Sequence, residues 1–217
     1  ILYRLVGSEM CIRDSQSLGP LQNLDASQLP EWTVPQLHAW FEYVRDVRFM
    51  FEEPYPEFAR RISWLYPDDG CFARASMVRE VIAEFNRVPE PHKIFISGNL
   101  AVATPNSPSG VVHWSWHVAP IVWVGNRAAV LDPALEPRRP LTVTEWASRQ
   151  TRDLRSVSLA ICKPNSYVLH SPCQNPYRAE DSWARDDQTR YLNYELARQR
   201  RLGRNPGQVL GLSLIHI

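Results

Sequence analysis

Three side chains in this sequence have the types and the order of thiol acyl-transfer chemistry: Cys71, His117 and Asp132. In such chemistry a thiolate attacks an acyl carbon, an imidazole moves the protons, and a carboxylate orients and stabilises the charged ring. Cys71 opens an apolar stripe of Cys71, Ala75, Val78, Ile82 and Phe85, a spacing that predicts one face of a helix. Asp68 or Asp69 is expected to cap that helix, which puts Cys71 in its first turn. Free N–H groups and the helix dipole favour an anion there, and the thiolate is the nucleophilic form. The plainer reading is that Cys71 only begins a buried stripe, since unpaired cysteine is among the most buried residue types.

The other two residues are related by a hairpin. Val111 to Val124 reads as one long strand, Gly125-Asn126 as a two-residue turn, and Arg127 to Asp132 as the returning strand. Val124 then pairs with Arg127, and Ala119 comes opposite Asp132. Alternation puts His117, Ala119 and Asp132 on one face, with the His117 and Asp132 Cβ atoms ~7–8 Å apart or less, within reach of a hydrogen bond. Trp114 and Trp116 fall on the opposite face, where packing is the expected role. Pro120 argues for an edge position or a bulge at that point. The competing readings are a core histidine bonded to a carbonyl, and an Asp132-Pro133 step that merely starts a turn. His113 and His117 would lie ~13 Å apart on a strand, too far to share an ion, so no metal and no cofactor is expected.

These residues need positioning elements. A helix is expected from Thr33 towards Met50, capped by Thr33 with Pro35 in its first turn and Leu37, Trp40, Phe41, Val44 and Val47 inward. A short helix over Glu57 to Tyr66, with Phe58, Ile62 and Leu65 inward, leads into the turn before Cys71. Lys93 to Ser97 reads as a strand that bends at Gly98-Asn99 and resumes to Thr104. Thr142 or Thr144 caps a helix over Glu145 to Arg152, Val157 to Cys162 forms a strand, and a last helix runs from Asp181 to Leu202 with Trp183, Leu192 and Leu196 as its apolar residues. The basic end of that helix, Arg198, Arg200 and Arg201, suits its negative pole and a solvated face.

The chain has 217 residues and a formal net charge of +1, enough length for a real core and too little positive charge for a dedicated nucleic-acid binder. No apolar run approaches the ~20 residues of a membrane span. The two ends read differently from the rest. Met10-Cys11-Ile12-Arg13-Asp14-Ser15 can be encoded by one strand of an inverted DNA element whose complement encodes Leu212-Ser213-Leu214-Ile215-His216-Ile217. Both ends thus resemble a translated transposon adapter, and residues 1–15 and 212–217 are set aside from the fold. Three cysteines then remain, and either Cys162 and Cys173 bridge, leaving Cys71 unpaired, or all three stay thiols of a reducing compartment.

Four segments together carry a family resemblance: Asp69-Gly70-Cys71-Phe72-Ala73-Arg74-Ala75, Gly98-Asn99-Leu100, Trp114-Ser115-Trp116-His117-Val118-Ala119 and Leu131-Asp132-Pro133-Ala134-Leu135. In order and spacing they resemble the protein-glutaminases, bacterial enzymes that deamidate glutamine side chains in proteins. The likeness covers roughly residues 64–150, with Phe72 and Trp116 standing where tyrosine is familiar and Ser76 where histidine is. It implies an α+β fold with a papain- or transglutaminase-like core, in which a helix starting at the nucleophile packs on an antiparallel sheet carrying His117 and Asp132. It also implies a thioester-forming cysteine hydrolase acting on protein or peptide substrates, and a secreted bacterial origin. A monomer is expected. Asn99 is expected as a second oxyanion donor, and Ser115 and Trp116 as substrate contacts. On this reading residues 67–211 form the catalytic domain, and residues 16–66 are a helical N-terminal region, either a pro-region remnant or part of the domain. The rival readings are a transglutaminase-like acyl transferase, a thiol protease and an inactive binding module.

Overall fold

The computed structural model describes residues 19–46, 62–167, 173 and 180–205. Its centre is the long hairpin: β2 (His92–Ala103) and β3 (Val111–Val124) pair antiparallel, and β3 turns through Gly125-Asn126 into β4 (Arg127–Val130). Val124 pairs with Arg127 and Ile121 with Val130, the register that a two-residue turn dictates. β5 (Leu141–Thr142) extends the sheet beyond β4, and β6 (Ser158–Cys162) lies outside β2. A short parallel strand β1 (Glu31–Trp32) pairs with the end of β3, beyond the point where β2 begins.

Alternation along the sheet divides the core. Val118, Val122, Val124, Ala129 and Leu131 face the side of helices α1 (Val34–Asp46) and α2 (Cys71–Phe85), whereas Ala119, Ile121 and Val130 face the side of α3 (Val143–Ser148). Helix α4 (Glu180–Arg201) lies against α2. α2 is therefore covered by sheet and helices together. Its buried set, from Cys71 through Ala75, Met77, Val78 and Val81 to Ile82, is wider than a single stripe, and Phe85 at its end is exposed.

Local sequence explains the helix limits. Thr33 Oγ1 accepts from the Gln36 N–H and Gln36 Oε1 accepts from the Thr33 N–H, a capping box that starts α1. Thr142 and Glu145 make the same reciprocal pair at α3. At α2 the expected aspartate cap is absent. Gly70 stands at the cap in the left-handed region, with φ +87° and no side-chain bond. Tyr191 is the reason for that glycine: a Cβ on Gly70 would come within 2.7 Å of its ring.

Other expectations change as well. Pro120 is neither at an edge nor at a bulge; it pairs with Lys93 in β2 while its carbonyl accepts from Leu131 N–H on the other side. Pro120 stands opposite Leu131 at a hydrogen-bonded pair position, so its missing N–H removes the reciprocal bond to Leu131, and the paired register ends there. Residues 62–66 form a turn rather than a helix, with Ile62 buried and Leu65 half-buried. In α4 the buried face is Ala184, Gln188, Tyr191, Glu195 and Gln199, while Trp183 is exposed and Leu192 and Leu196 are half-buried. That face meets the loop before α2 as well as the apolar core: Glu195 accepts from Leu65 N–H, Gln188 Oε1 accepts from the Ser63 hydroxyl, and Ala184 packs in the core. Cys162 and Cys173 form a disulfide, which leaves Cys71 as the free cysteine among the described residues. The expected run of α1 to Met50, the segment 57–61 with Phe58, and residues 1–15 and 212–217 lie outside the described residues.

Candidate active site

Cys71 is the first residue of α2, buried, with a free helix N-terminus around it. The loop that leads into it is tied on several sides. Asp69 Oδ1 accepts from Gly70 N–H at 2.7 Å, Arg198 of α4 pairs with Asp68, and Tyr191 hydrogen-bonds Asp69. Arg74, one turn into α2, is 98% buried and donates from Nη1 to the carbonyls of Tyr66 and Asp69 at 3.0 and 2.9 Å. The backbone before Cys71 is thus held by its own helix and by α4.

His117 and Asp132 meet as the hairpin register requires. His117 Nε2 lies 2.8 Å from Asp132 Oδ2, both side chains buried. Asp132 also begins a turn, its carbonyl accepting from the N–H groups of Leu135 and Glu136. The two readings of this residue are therefore compatible. The β3–β4 register ends at Ile121 and Val130, with one further bond from Leu131 N–H to Pro120, and no strand among the described residues pairs with the outer side of β3 at His117. At that opening Cys71 comes close enough to act on the imidazole. With Nε2 engaged by Asp132, Nδ1 is the nitrogen left for the thiol; it is buried and makes no hydrogen bond of full geometry. Such contacts are often long in unliganded sites and tighten with substrate.

Burial on its own would favour the neutral imidazole. The charge and hydrogen bond of Asp132, with Cys71 adding to them, outweigh it and raise the His117 pKa to about 9. Asp132 is held below the usual carboxylate range: burial opposes this, but His117, the Trp146 hydrogen bond and the charge of Arg74 prevail.

Two indoles complete the surroundings of the imidazole. Trp146 is fully buried; its Nε1–H donates to Asp132 Oδ2 at 2.8 Å, and its ring stacks on His117 at 5.7 Å between centroids. Trp114 stacks on His117 at 4.6 Å, and its Nε1–H donates to the carbonyl of Pro67 at 2.9 Å. Trp114 is therefore not on the face opposite His117. The cause is a register shift: Ile96 opposes His117 and Leu100 opposes Trp114, so β2 takes four steps where β3 takes three. The alternation of β3 reverses there, as it does at a bulge. Gly98 sits in the shift, where a Cβ would come within 2.9 Å of Val157.

A cavity of about 220 Å³ opens over Cys71, lined by Asp68, Arg74, His113, Trp114, Ser115 and Trp116 among others. Ser115 and Trp116 thus border it. Trp116 also packs on Phe72 and Phe95, the packing role expected of it. Asn99 stands exposed in the register shift of β2 and does not line this cavity. Sequence reasoning passed over Arg74, Trp114 and Trp146 as site residues. The Thr142 cap holds a usable signal for Trp146, because it fixes the phase of α3 and turns the fourth residue of the helix inward. The bend expected at Gly98-Asn99 falls at the register shift that delivers Trp114, but nothing in the sequence says that it turns Trp114 to the face of His117. Among the described residues no group of three His, Cys, Asp or Glu could hold a metal ion, and no helix is long and apolar enough to cross a membrane.

Comparison with known proteins places this geometry in context. A family model described as glutaminase matches residues 37–150, just over half of the chain. The crystal structure of a protein-glutaminase superposes with a TM-score of 0.58 at 23% identity, over 77% of this chain and 89% of the other. The crystal structure of pro-protein-glutaminase gives 0.57 at 24% identity, over 77% of this chain and 58% of the longer pro-form. The NMR structure of protein-glutaminase from Chryseobacterium proteolyticum gives 0.50 at 25% identity, covering 69% and 79%. No curated protein sequence matches the chain.

Proposed function

The chain belongs to the glutaminase family, and from that premise we propose that it is a cysteine amidohydrolase that converts glutamine to glutamate within proteins or peptides and releases ammonia. Family membership and the likeness of fold support glutamine deamidation. The finer assignment rests on one observation: a buried His117–Asp132 hydrogen bond of 2.8 Å beside a free cysteine that begins a helix and borders a cavity.

In this reading the Cys71 thiolate attacks the carboxamide carbon and forms a tetrahedral oxyanion, which Cys71's own N–H at the helix start helps to hold. His117, protonated at neutral pH, gives its proton to the departing nitrogen, and ammonia leaves a Cys71 thioester. The neutral imidazole then takes a proton from water as it attacks the thioester, and the glutamate carboxylate is released. Asp132 fixes the ring and stabilises its charge throughout. Ser115 and Trp116 are positioned to border the substrate. Asn99 is exposed and does not line the cavity, so no role is assigned to it here. The catalytic unit is taken as residues 67–211, with the α1 region packed on it as part of the same core.

The test is ammonia release from a glutamine-containing peptide or unfolded protein, with wild type and Cys71→Ala compared, and mass spectrometry in excess primary amine. A gain of about one mass unit per site, lost in Cys71→Ala, is the expected result. A dominant amine adduct would assign a transglutaminase, backbone fragments a protease, and an unchanged peptide an inactive module.

A further inference from the structure

His117 does not rest on Asp132 alone. Its ring stacks with two indoles, Trp114 at 4.6 Å and 21° and Trp146 at 5.7 Å and 27°. Each indole is itself locked by its N–H, and the two locks go to different parts of the site. Trp114 is tied to the Pro67 carbonyl, in the loop that leads to Cys71. Trp146 is tied to Asp132 Oδ2, the same oxygen that meets His117 Nε2, also at 2.8 Å. One carboxylate oxygen thus receives two N–H bonds from two rings that stack on each other.

We propose that Trp146 and Trp114 are positioning residues for the proton-transfer step: Trp146 fixes the rotamer of Asp132 and Trp114 packs on the imidazole, so that His117 is held with Nδ1 toward Cys71. The proposal rests on His117 being the proton carrier of the reading above. Three features carry it. A carboxylate whose acceptor oxygen is bonded twice cannot rotate without breaking both bonds, each strengthened by its charge. An imidazole that stacks with two indoles, one of them fully buried, cannot flip without disturbing that close packing. The electron-rich faces of two indoles favour the charged ring over the neutral one, as with other cations over tryptophan. The titratable groups that face the imidazole are Cys71 from α2 and Asp132 beyond β4, with Arg74 of α2 acting on Asp132 in turn. β2 presents Ile96 opposite His117, and α3 presents Trp146, neither of them titratable.

The fold supplies this arrangement from separate elements. Trp146 reaches Asp132 because the Thr142–Glu145 capping box sets the start of α3, and Trp114 reaches His117 because of the register shift in the β2–β3 pair. Neither indole lies beside the other in sequence.

The experiment uses the full chain. Trp146→Phe keeps an aromatic face and deletes the N–H; it should lose about ten- to a hundred-fold in kcat, the range of one hydrogen bond to a charged group, with KM little changed. The His117 titration, followed by NMR, should move down in the same variant. Trp114→Phe keeps its face on the ring and frees only the Pro67 carbonyl, so its titration should move less than that of Trp146→Phe. In wild type the Trp146 indole N–H resonance should shift with the same midpoint as His117. That measurement needs neither a variant nor turnover, so it stands apart from whether the chain deamidates glutamine. An indole N–H that ignores the His117 transition, or a folded Trp146→Phe with wild-type kcat and an unmoved titration, would overturn the proposal.

Discussion

At the scale of single residues the site is an electrostatic balance, and its pH dependence follows from the directions of two shifts. His117 is raised to about 9, so its contribution to stability is complete below the ordinary imidazole value and is lost as pH rises through about 9. Asp132 is lowered, so its contribution is complete above the ordinary carboxylate value and is lost as pH falls through its depressed one. The stability advantage of wild type over Asp132→Asn is therefore expected to be largest between about pH 4 and 6.5 and to shrink on both sides. Denaturant unfolding of both proteins from well below pH 4 to above about pH 9 measures it, and a difference that stays flat over that whole span would contradict the pairing. The same variant should titrate His117 well below about 9 and turn over far more slowly. In the serine-protease triad that substitution costs about 10⁴ in kcat, and a cysteine enzyme with a preformed thiolate is expected to lose less. Asn99→Ala, by contrast, should change kcat little, because Asn99 is exposed and does not line the cavity.

At the scale of elements, what matters is which ones deliver the site. Gly70 is the most sensitive position of the loop before Cys71: its φ is +87° and a Cβ would meet the Tyr191 ring at 2.7 Å. Gly70→Ala should cost at least the ~1–3 kcal/mol of a non-glycine residue in that conformation, and should lower kcat by displacing the start of α2. Melting and turnover measured together check it; full activity in a destabilised variant would mean that α4 holds the loop without placing the thiol. Local sequence pattern succeeded where geometry is set locally. Gly125-Asn126 admits a two-residue turn, and from that turn alone the meeting of His117 and Asp132 follows. Thr33 and Thr142 cap their helices for equally local reasons. It failed where distant chain decides. The cap of α2 is shaped by Tyr191 of α4, far along the chain, so a glycine took the place expected of an aspartate. The buried face of α4 is largely polar because it satisfies loop groups, the Leu65 N–H and the Ser63 hydroxyl, and a search for apolar periodicity cannot see it. The face of Trp114 reversed because of one extra residue in the partner strand.

At the scale of the whole molecule, the elements that hold Cys71 come from within and from beyond the part that matches the family model. That match ends at residue 150, yet Tyr191 and Arg198 of α4 grip Gly70 and Asp68, and Arg204 bonds the Pro105 and Asn106 loop. β6 is joined to residue 173 by the Cys162–Cys173 disulfide, which closes a short loop in a part of the chain that α4 follows. A bridge across a loop of about that size contributes roughly 3 kcal/mol by restricting the unfolded chain. Two truncations therefore separate what belongs to the domain from what does not. A chain from Gln16 to Gly211 lacks the two segments that read as translated adapter and should keep the melting temperature and turnover of the full chain. A chain ending at Thr151 keeps the family-matched span with Cys71, His117, Asp132 and Trp146 but loses β6, the disulfide and α4. It should lose turnover through the exposed edge of β2 and the unsupported Gly70 loop. Thermal unfolding and ammonia release on the three chains decide between the alternatives. If the shorter chain folds and turns over normally, α4 is dispensable to the site. If removing residues 1–15 and 212–217 lowers the melting temperature, those segments are part of the fold and their reading as adapter is wrong.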